Sequence, residues 1–186
     1  MIIGITGTDG AGKGTVVDYL VSERGFAHYS SRDSIQKEVE RQGLPVTRNQ
    51  LRLTANQMRE EFGDDIVVRH SFDRAQAEGK SFAVIESVRA SAEAIFLKSH
   101  KVILLAVDAD VALRFERVQS RRSSTDHVTF EEFVAQEELE KNDTNPHGMQ
   151  KAKVMEMADY TIFNNGTLEE LQSSIDAFLE KYNTSI

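Results

Sequence analysis

The chain has 186 residues, a net charge of −8 at pH 7 and a hydrophobic content of 40%. This length and apolar content suit one core, so we expect residues 1–186 to form a single domain. The average negative field repels polyanions, which argues against a nucleic-acid partner and restricts any anion site to a local cluster. The chain contains no cysteine, which excludes disulfides and thiolate metal sites.

The first residues lack a basic leader, and no apolar run approaches the length of a membrane span. The sequence therefore predicts a cytoplasmic protein without a membrane partner. It leaves a monomer and a homodimer equally open.

Short apolar runs alternate with longer amphipathic stretches along the chain. The runs that predict buried strands are residues 1–6, 26–29, 82–85, 101–107 and 160–163. Strands that alternate with helices indicate a parallel sheet covered on both faces, which is a three-layer α/β/α fold with five strands. Capping boxes, formed by Thr129 with Glu132 and by Thr167 with Glu170, predict where two of the helices begin.

A glycine-rich segment lies between the first strand and the first helical pattern, and it reads Gly7-Thr8-Asp9-Gly10-Ala11-Gly12-Lys13-Gly14-Thr15. This order of strand, loop and helix is typical of a phosphate-binding P-loop. Glycines let the backbone curl around a polyphosphate, and the helix N-terminus adds the positive end of its dipole. Lys13 supplies a mobile cation for the β and γ phosphates and is a candidate catalytic residue. The residues expected to bind ATP here are Asp9, Gly10, Ala11, Gly12, Lys13, Gly14 and Thr15.

One departure from the usual motif bears on the metal ion. A hydroxyl residue normally follows the lysine, but here Gly14 follows it and the hydroxyl comes one place later, at Thr15. Direct ligation of Mg²⁺ by Thr15 therefore stays open.

Two acidic residues follow predicted strands, at the edge where parallel sheets bind ligands. Asp33 comes after the second strand and is a candidate catalytic or substrate-binding residue, with a helix N-cap as the alternative. Glu86 ends the third strand, and Arg89 lies three residues later. We expect Glu86 to hold Mg²⁺ through water and Arg89 to clamp an acceptor phosphate, with a surface ion pair as the alternative.

Arginines also gather on one face of a predicted helix that Thr47 caps, namely Arg48, Arg52 and Arg59. A cluster of like charges is costly unless an anion neutralises it. Arg52 and Arg59 are therefore candidate substrate-binding residues, within acceptor-binding helices at about 31–79. A solvated charged face is the alternative.

A second arginine stripe follows the fourth strand and contains Arg114, Arg117 and Arg121. Its helix runs into an irregular polar stretch, which predicts a small helical lid at about 114–148. Arg117 and Arg121 are candidate catalytic residues that close over ATP, again with a solvated face as the alternative.

Taken together, the P-loop, Asp33, the Glu86 to Arg89 segment, residues 114–117 and the block at 158–167 resemble the P-loop nucleoside monophosphate kinase superfamily. The likeness is greatest to its dephospho-coenzyme A kinase-like and archaeal adenylate-kinase-related members. The spacing Gly-Lys-Gly-Thr resembles the adenylate kinase branch, in which phosphates and water hold most of the metal, and residues 9–13 also resemble thymidylate kinases. In dephospho-coenzyme A kinases an Asn-rich turn lies against the ATP base, which implies this role for Asn164, Asn165 and Gly166.

The resemblance implies a Mg²⁺- and ATP-dependent phosphotransferase whose acceptor is a nucleoside or deoxynucleoside monophosphate. Gln36 stands where adenylate kinases carry arginine, and Ser87-Val88-Arg89 replaces a Pro-Leu-Leu type segment of dephospho-coenzyme A kinases. Dephospho-coenzyme A therefore stays an alternative acceptor. An ATP-binding regulator without turnover is the alternative from another class, whereas a GTPase-like switch is disfavoured because no Asn-Lys-x-Asp segment occurs.

Overall fold

The computed structural model describes residues 1–120, 129–141, 145 and 147–182, and its strands form one parallel sheet in the order β2-β3-β1-β4-β5. The strands are β1 (Ile2–Gly7), β2 (Ala27–Ser30), β3 (Ala83–Glu86), β4 (Ile103–Asp108) and β5 (Tyr160–Phe163). All five apolar runs are thereby confirmed as strands, with ends that differ by no more than two residues from the predicted ones.

Helices cover both faces of this sheet. In the described ranges they are α1 (Lys13–Arg24), α2 (Ser31–Arg41), α3 (Arg48–Phe62), α4 (Ile66–Ala77), α5 (Ser91–Ser99), α6 (Val111–Ser120), α7 (Phe130–Lys141), α8 (Lys151–Glu156) and α9 (Leu168–Tyr182). None of these helices has the combined length and apolar character needed to cross a bilayer.

Two hydrophobic cores lie on opposite faces of the sheet because side chains alternate along each strand. On one face Ile5 packs in a cluster with Leu20 of α1 and Phe178 of α9. On the other face Ile85 packs in a cluster with Leu97 of α5 and residues of α4. The predicted three-layer α/β/α arrangement is therefore confirmed.

The two predicted helix starts are also confirmed. Thr129 N–H donates to Glu132 at 2.7 Å while Glu132 N–H donates to the Thr129 hydroxyl at 3.2 Å. Thr167 and Glu170 form the same reciprocal pair at 2.8 and 3.3 Å. Gly25 ends α1 in the left-handed region, at φ 69°.

The parallel register brings several strand ends to one edge of the sheet. Ile5 of β1 lies opposite Glu86 of β3, and Ser30 of β2 lies opposite the same Glu86. On the other side of β1, Gly7 lies opposite Val107 of β4. The segments that follow β1, β2, β3 and β4 therefore start from neighbouring points.

Candidate active site

The loop between β1 and α1 has a backbone that requires glycine. Gly10 and Gly12 have φ values of 82° and 98°, in the left-handed region. A Cβ on Gly10 would lie 2.4 Å from the carbonyl oxygen of Arg114, and a Cβ on Gly12 would lie 2.4 Å from Nδ2 of Asn164. The loop thus packs tightly against α6 and the residue after β5, which fixes its curvature.

Lys13 begins α1 and extends back over this loop. Its Nζ donates to the carbonyl oxygens of Gly7 at 3.0 Å and Thr8 at 2.6 Å. Burial lowers the pKa of Lys13 to about 8; the Asp9 carboxylate opposes this change, whereas the positive charge of Arg89 adds to it. A phosphate would lower the cost of this buried ammonium group.

Glu86 forms an ion pair that links two strand ends. Its Oε2 lies 3.0 Å from Nε2 of His28 on β2. The hydrogen bond from His28 lowers the pKa of Glu86, and the same bond raises the pKa of His28. Glu86 is therefore ionised at neutral pH. Sequence reasoning missed His28 because the pairing of β2 with β3 has no local signal in the chain.

The backbone after Glu86 has an uncommon conformation. Ser87 has a φ of 74°, in a region that non-glycine residues rarely occupy. Val88 N–H donates to the carbonyl oxygen of Ile5 at 3.0 Å, and the carbonyl oxygen of Arg89 accepts from Gln150 N–H at 2.9 Å. These bonds hold the segment in place beside β1, where the positive charge of Arg89 also helps to lower the pKa of Lys13.

Asp33 lies in the first turn of α2 and is exposed. The N-cap position belongs to Ser30, so the alternative that Asp33 caps this helix is wrong. Asp33 adds to the raised pKa of His28, after the larger effect of Glu86. Asp33, His28 and Glu86 thus occupy the same corner of the sheet edge, as expected for Asp33 and Glu86.

Arg59 is a correction to the sequence interpretation. It is only 3% exposed, and its Nε and Nη2 donate to Oε1 of Glu93 at 3.1 and 2.8 Å. Glu93 is fully buried, and its other oxygen accepts from Arg89 N–H at 2.7 Å and Ala90 N–H at 2.9 Å. An internal carboxylate, not a ligand, neutralises Arg59. Arg52 is exposed and donates to Asn49 at 3.2 Å, so its role in binding stays a prediction.

The second arginine stripe also contains one buried arginine that an internal carboxylate neutralises, beside an arginine whose role stays a prediction. Arg114 is buried, forms an ion pair with Glu137 of α7 and donates to the carbonyl oxygen of Ala109 at 2.8 Å. Arg117 is half-buried, and its Nη1 donates to the carbonyl oxygen of Asn164 at 2.9 Å. Arg121 lies outside the described residues, as does part of the predicted lid. The role of Arg117 in catalysis stays a prediction.

Asn164 supports the P-loop from the end of β5. It is buried, and its Nδ2 donates to the carbonyl oxygen of Ala11 at 2.8 Å. This bond directs the amide group of Asn164 to the loop backbone. Asn164 therefore supports the loop, which corrects the prediction that it lies against the ATP base. The side chain of Asn165 accepts from Asp110 N–H at 2.8 Å, and Gly166 is exposed. A contact of Asn165 and Gly166 with the base stays a prediction.

Two residues at the loop were missed by sequence reasoning. Asp108 ends β4 and accepts hydrogen bonds from the Thr8 hydroxyl at 2.6 Å and Ala109 N–H at 2.9 Å. The position of Asp108 at the end of a buried strand is the sequence signal that could have identified it as a site residue. Lys151 of α8 donates to Asp9 at 3.1 Å, and nothing in the sequence around it indicates this contact.

The predicted magnesium ligands offer only oxygen donors. Within the described part of the chain, His, Asp and Glu form no group of three able to hold a metal ion. Thr15 is exposed in the first turn of α1, and the Glu86 carboxylate is ionised. This donor chemistry fits Mg²⁺, which prefers oxygen and keeps several water or phosphate ligands.

A five-stranded parallel sheet with a glycine-rich loop between β1 and α1 defines the P-loop kinase fold, and comparison with solved structures agrees. A shikimate kinase from Aquifex aeolicus superposes with a TM-score of 0.57 at 20% identity, covering 99% of both chains. A shikimate kinase from Bacteroides thetaiotaomicron gives 0.63 at 16% identity, covering 98% of both. These identities establish the fold alone.

Sequence comparison identifies the family. A family model described as an AAA domain matches residues 3–157. A UPF0200 protein of Pyrococcus horikoshii is 34% identical, with 97% of both chains covered. A UPF0200 protein of Hyperthermus butylicus is 29% identical, with 97% of this chain and 94% of that protein covered. The chain therefore belongs to the AAA_18 domain family and to the UPF0200 proteins.

Proposed function

We propose that this protein is an ATP-dependent small-molecule kinase that transfers the γ-phosphoryl group to a nucleoside or deoxynucleoside monophosphate. The observation that carries the proposal is the convergence of a P-loop lysine, an ionised carboxylate and an arginine at one sheet edge. Glu86 and Arg89 lie close enough to Lys13 for their charges to change its pKa. This combination matches what phosphoryl transfer requires, which is positioning and charge stabilisation.

Each residue has a distinct part in the proposed reaction. The N–H groups of the loop and the Lys13 ammonium group bind the β and γ phosphates. Bound MgATP supplies the phosphoryl group and spreads its charge. Glu86 would hold Mg²⁺ through water, and the hydrogen bond from His28 lowers the pKa of Glu86 further below neutral pH. Arg89 binds the acceptor phosphate with its planar fork, while Asp33 orients the acceptor.

The assignment of a nucleotide as the acceptor depends on Arg89 and Asp33 together. A monophosphate provides the anion that an arginine fork binds in bidentate fashion, and a ribose provides hydroxyl groups for a carboxylate. The convergence of three charged residues with suitable chemistry also favours an enzyme over an ATP-binding regulator, for which Lys13 alone would suffice.

The direct test is a coupled assay for ADP release with a panel of acceptors. The panel contains nucleoside and deoxynucleoside monophosphates, dephospho-coenzyme A and shikimate, each with MgATP. We expect turnover with at least one monophosphate and loss of turnover in Lys13→Ala. Turnover with dephospho-coenzyme A or shikimate alone would refute the acceptor class, and tight ATP binding without any turnover would favour the regulator.

One variant, compared with a surface control, tests whether Asp33 binds the acceptor. Asp33→Asn should raise KM for the acceptor with little effect on KM for ATP. Glu180→Gln, at an exposed position of α9, serves as the surface control and should match the wild type. An unchanged acceptor KM in Asp33→Asn would remove Asp33 from the site.

A further inference from the structure

A second lysine lies at the P-loop and comes from the far end of the chain. Lys151 is the first residue of α8, which packs against β1, and it is only 7% exposed. Its Nζ lies 3.1 Å from Oδ2 of Asp9, while Oδ1 of Asp9 lies 3.7 Å from Nζ of Lys13. One carboxylate of the loop thus stands between two ammonium groups.

The position of Lys151 is fixed by the backbone before it. Gln150 N–H donates to the carbonyl oxygen of Arg89 at 2.9 Å, and the Gln150 side chain accepts from the Ser91 hydroxyl at 2.5 Å. These bonds anchor the start of α8 to the segment that follows Glu86. Lys151 therefore reaches the loop from a rigid support, which is the condition for a precise contact with a ligand.

Charged groups gather around Lys13. The positive charges of Arg89 and Lys151 lower its pKa, whereas the carboxylates of Asp9 and Glu86 raise it. The positive charge of Lys151 is one cause of the lowered pKa of Lys13, after burial and the effect of Arg89. Holding two ammonium groups this close is costly, and a polyanion in the loop would reduce that cost.

We propose that Lys151 is a second phosphate-binding cation of the P-loop, and that Asp9 is the internal anion with which a bound polyphosphate competes. The inference rests on the proposed function, because it assigns the polyphosphate of a nucleoside triphosphate to this loop. Asp9 belongs to the loop whose N–H groups surround the phosphates, so Lys151 can exchange the carboxylate for phosphate oxygens without a large movement.

The test measures binding by isothermal titration with MgATP and with inorganic tripolyphosphate, which lacks a base. Lys151→Gln should weaken both by about tenfold, the loss expected for one charge-assisted hydrogen bond. Lys151→Arg should restore most of the affinity. Lys153→Gln removes an exposed lysine two positions along the same helix and should bind as the wild type does. Unchanged affinity in a folded Lys151→Gln would overturn the proposal.

The Asp9→Asn variant distinguishes a phosphate-binding role of Lys151 from a purely structural ion pair with Asp9. Removal of the competing carboxylate should tighten binding of both probes several-fold, whereas a structural pair predicts a lower melting temperature with unchanged or weaker binding. If the wild type binds neither probe, the proposed function fails together with this inference. If Lys13→Ala weakens binding while Lys151→Gln does not, only the inference on Lys151 fails.

Discussion

The pKa of Lys13 makes nucleotide binding sensitive to mildly alkaline pH. With a pKa of about 8, the charged fraction of Lys13 falls from about nine-tenths at pH 7 to about one-tenth at pH 9. A neutral amine gives phosphate little attraction, so we expect ATP to bind about tenfold more weakly at pH 9 than at pH 7. Bound phosphate raises the pKa of Lys13 again, and binding near pH 8 should therefore take up about half a proton.

Isothermal titration with MgATP at several pH values, repeated at pH 8 in two buffers of different ionisation enthalpy, measures both quantities. Lys13→Ala is the matched control, since it should bind weakly at every pH and should lack this slope. An affinity for the wild type that stays constant from pH 7 to pH 9, or an equal slope in Lys13→Ala, would refute the reasoning.

The same shift affects folding stability. The pKa of Lys13 falls from 10.5 to about 8 on folding, which corresponds to a cost of about 3 kcal/mol for the charged form. The cost is present in full below pH 8. Between pH 8 and pH 10.5 the unfolded chain binds more protons, so this contribution to the free energy of unfolding rises with pH. Lys13→Met should show a smaller rise than the wild type in urea unfolding over this range.

Four further substitutions test other parts of the structure. Glu93→Gln should lower the free energy of unfolding by about 3 kcal/mol in urea titrations, because it leaves a buried guanidinium group without its counter-charge. Gly14→Ala should raise the free energy of unfolding by about 0.5–1 kcal/mol, because a Cβ at this helical position meets no atom within 4 Å. Arg117→Ala should lower kcat by about 10² with a small change in the ATP dissociation constant; a solvated arginine would leave kcat within about twofold. Glu86→Gln should lower kcat while ATP affinity measured by titration stays similar, and collapse of ATP binding would contradict its assignment.

The sequence predicted the fold well because its signals are local. Buried strands appear as short apolar runs, helix ends carry their own caps, and the P-loop carries its glycines in one segment. The capping box of Thr129 and Glu132 needs only four consecutive residues, and both of its hydrogen bonds are present. Strand order has no such local signal, so the contact of His28 with Glu86 could not be predicted.

The candidate site was predicted less completely because its charges are balanced over long distances in the chain. Arg59 pairs with a glutamate 34 residues away, and Arg114 pairs with one 23 residues away. Helical periodicity indicates only which side chains share a face of a helix. It could not reveal that a carboxylate of another helix already neutralises the charge.

The exposure of the acidic partner separates structural cations from cations that can bind a ligand. The Glu93 side chain is fully buried, and that of Glu137 is 13% exposed, so no ligand can readily replace them on Arg59 and Arg114. The Asp9 side chain is 32% exposed and contacts both loop lysines at 3.1 and 3.7 Å. A partly solvated ion pair is weak, since water screens it, and a multiply charged phosphate can displace its carboxylate. On this argument Lys13 and Lys151 are the cations that the fold directs toward polyphosphate, whereas Arg59 and Arg114 hold helices α3 and α6 in place.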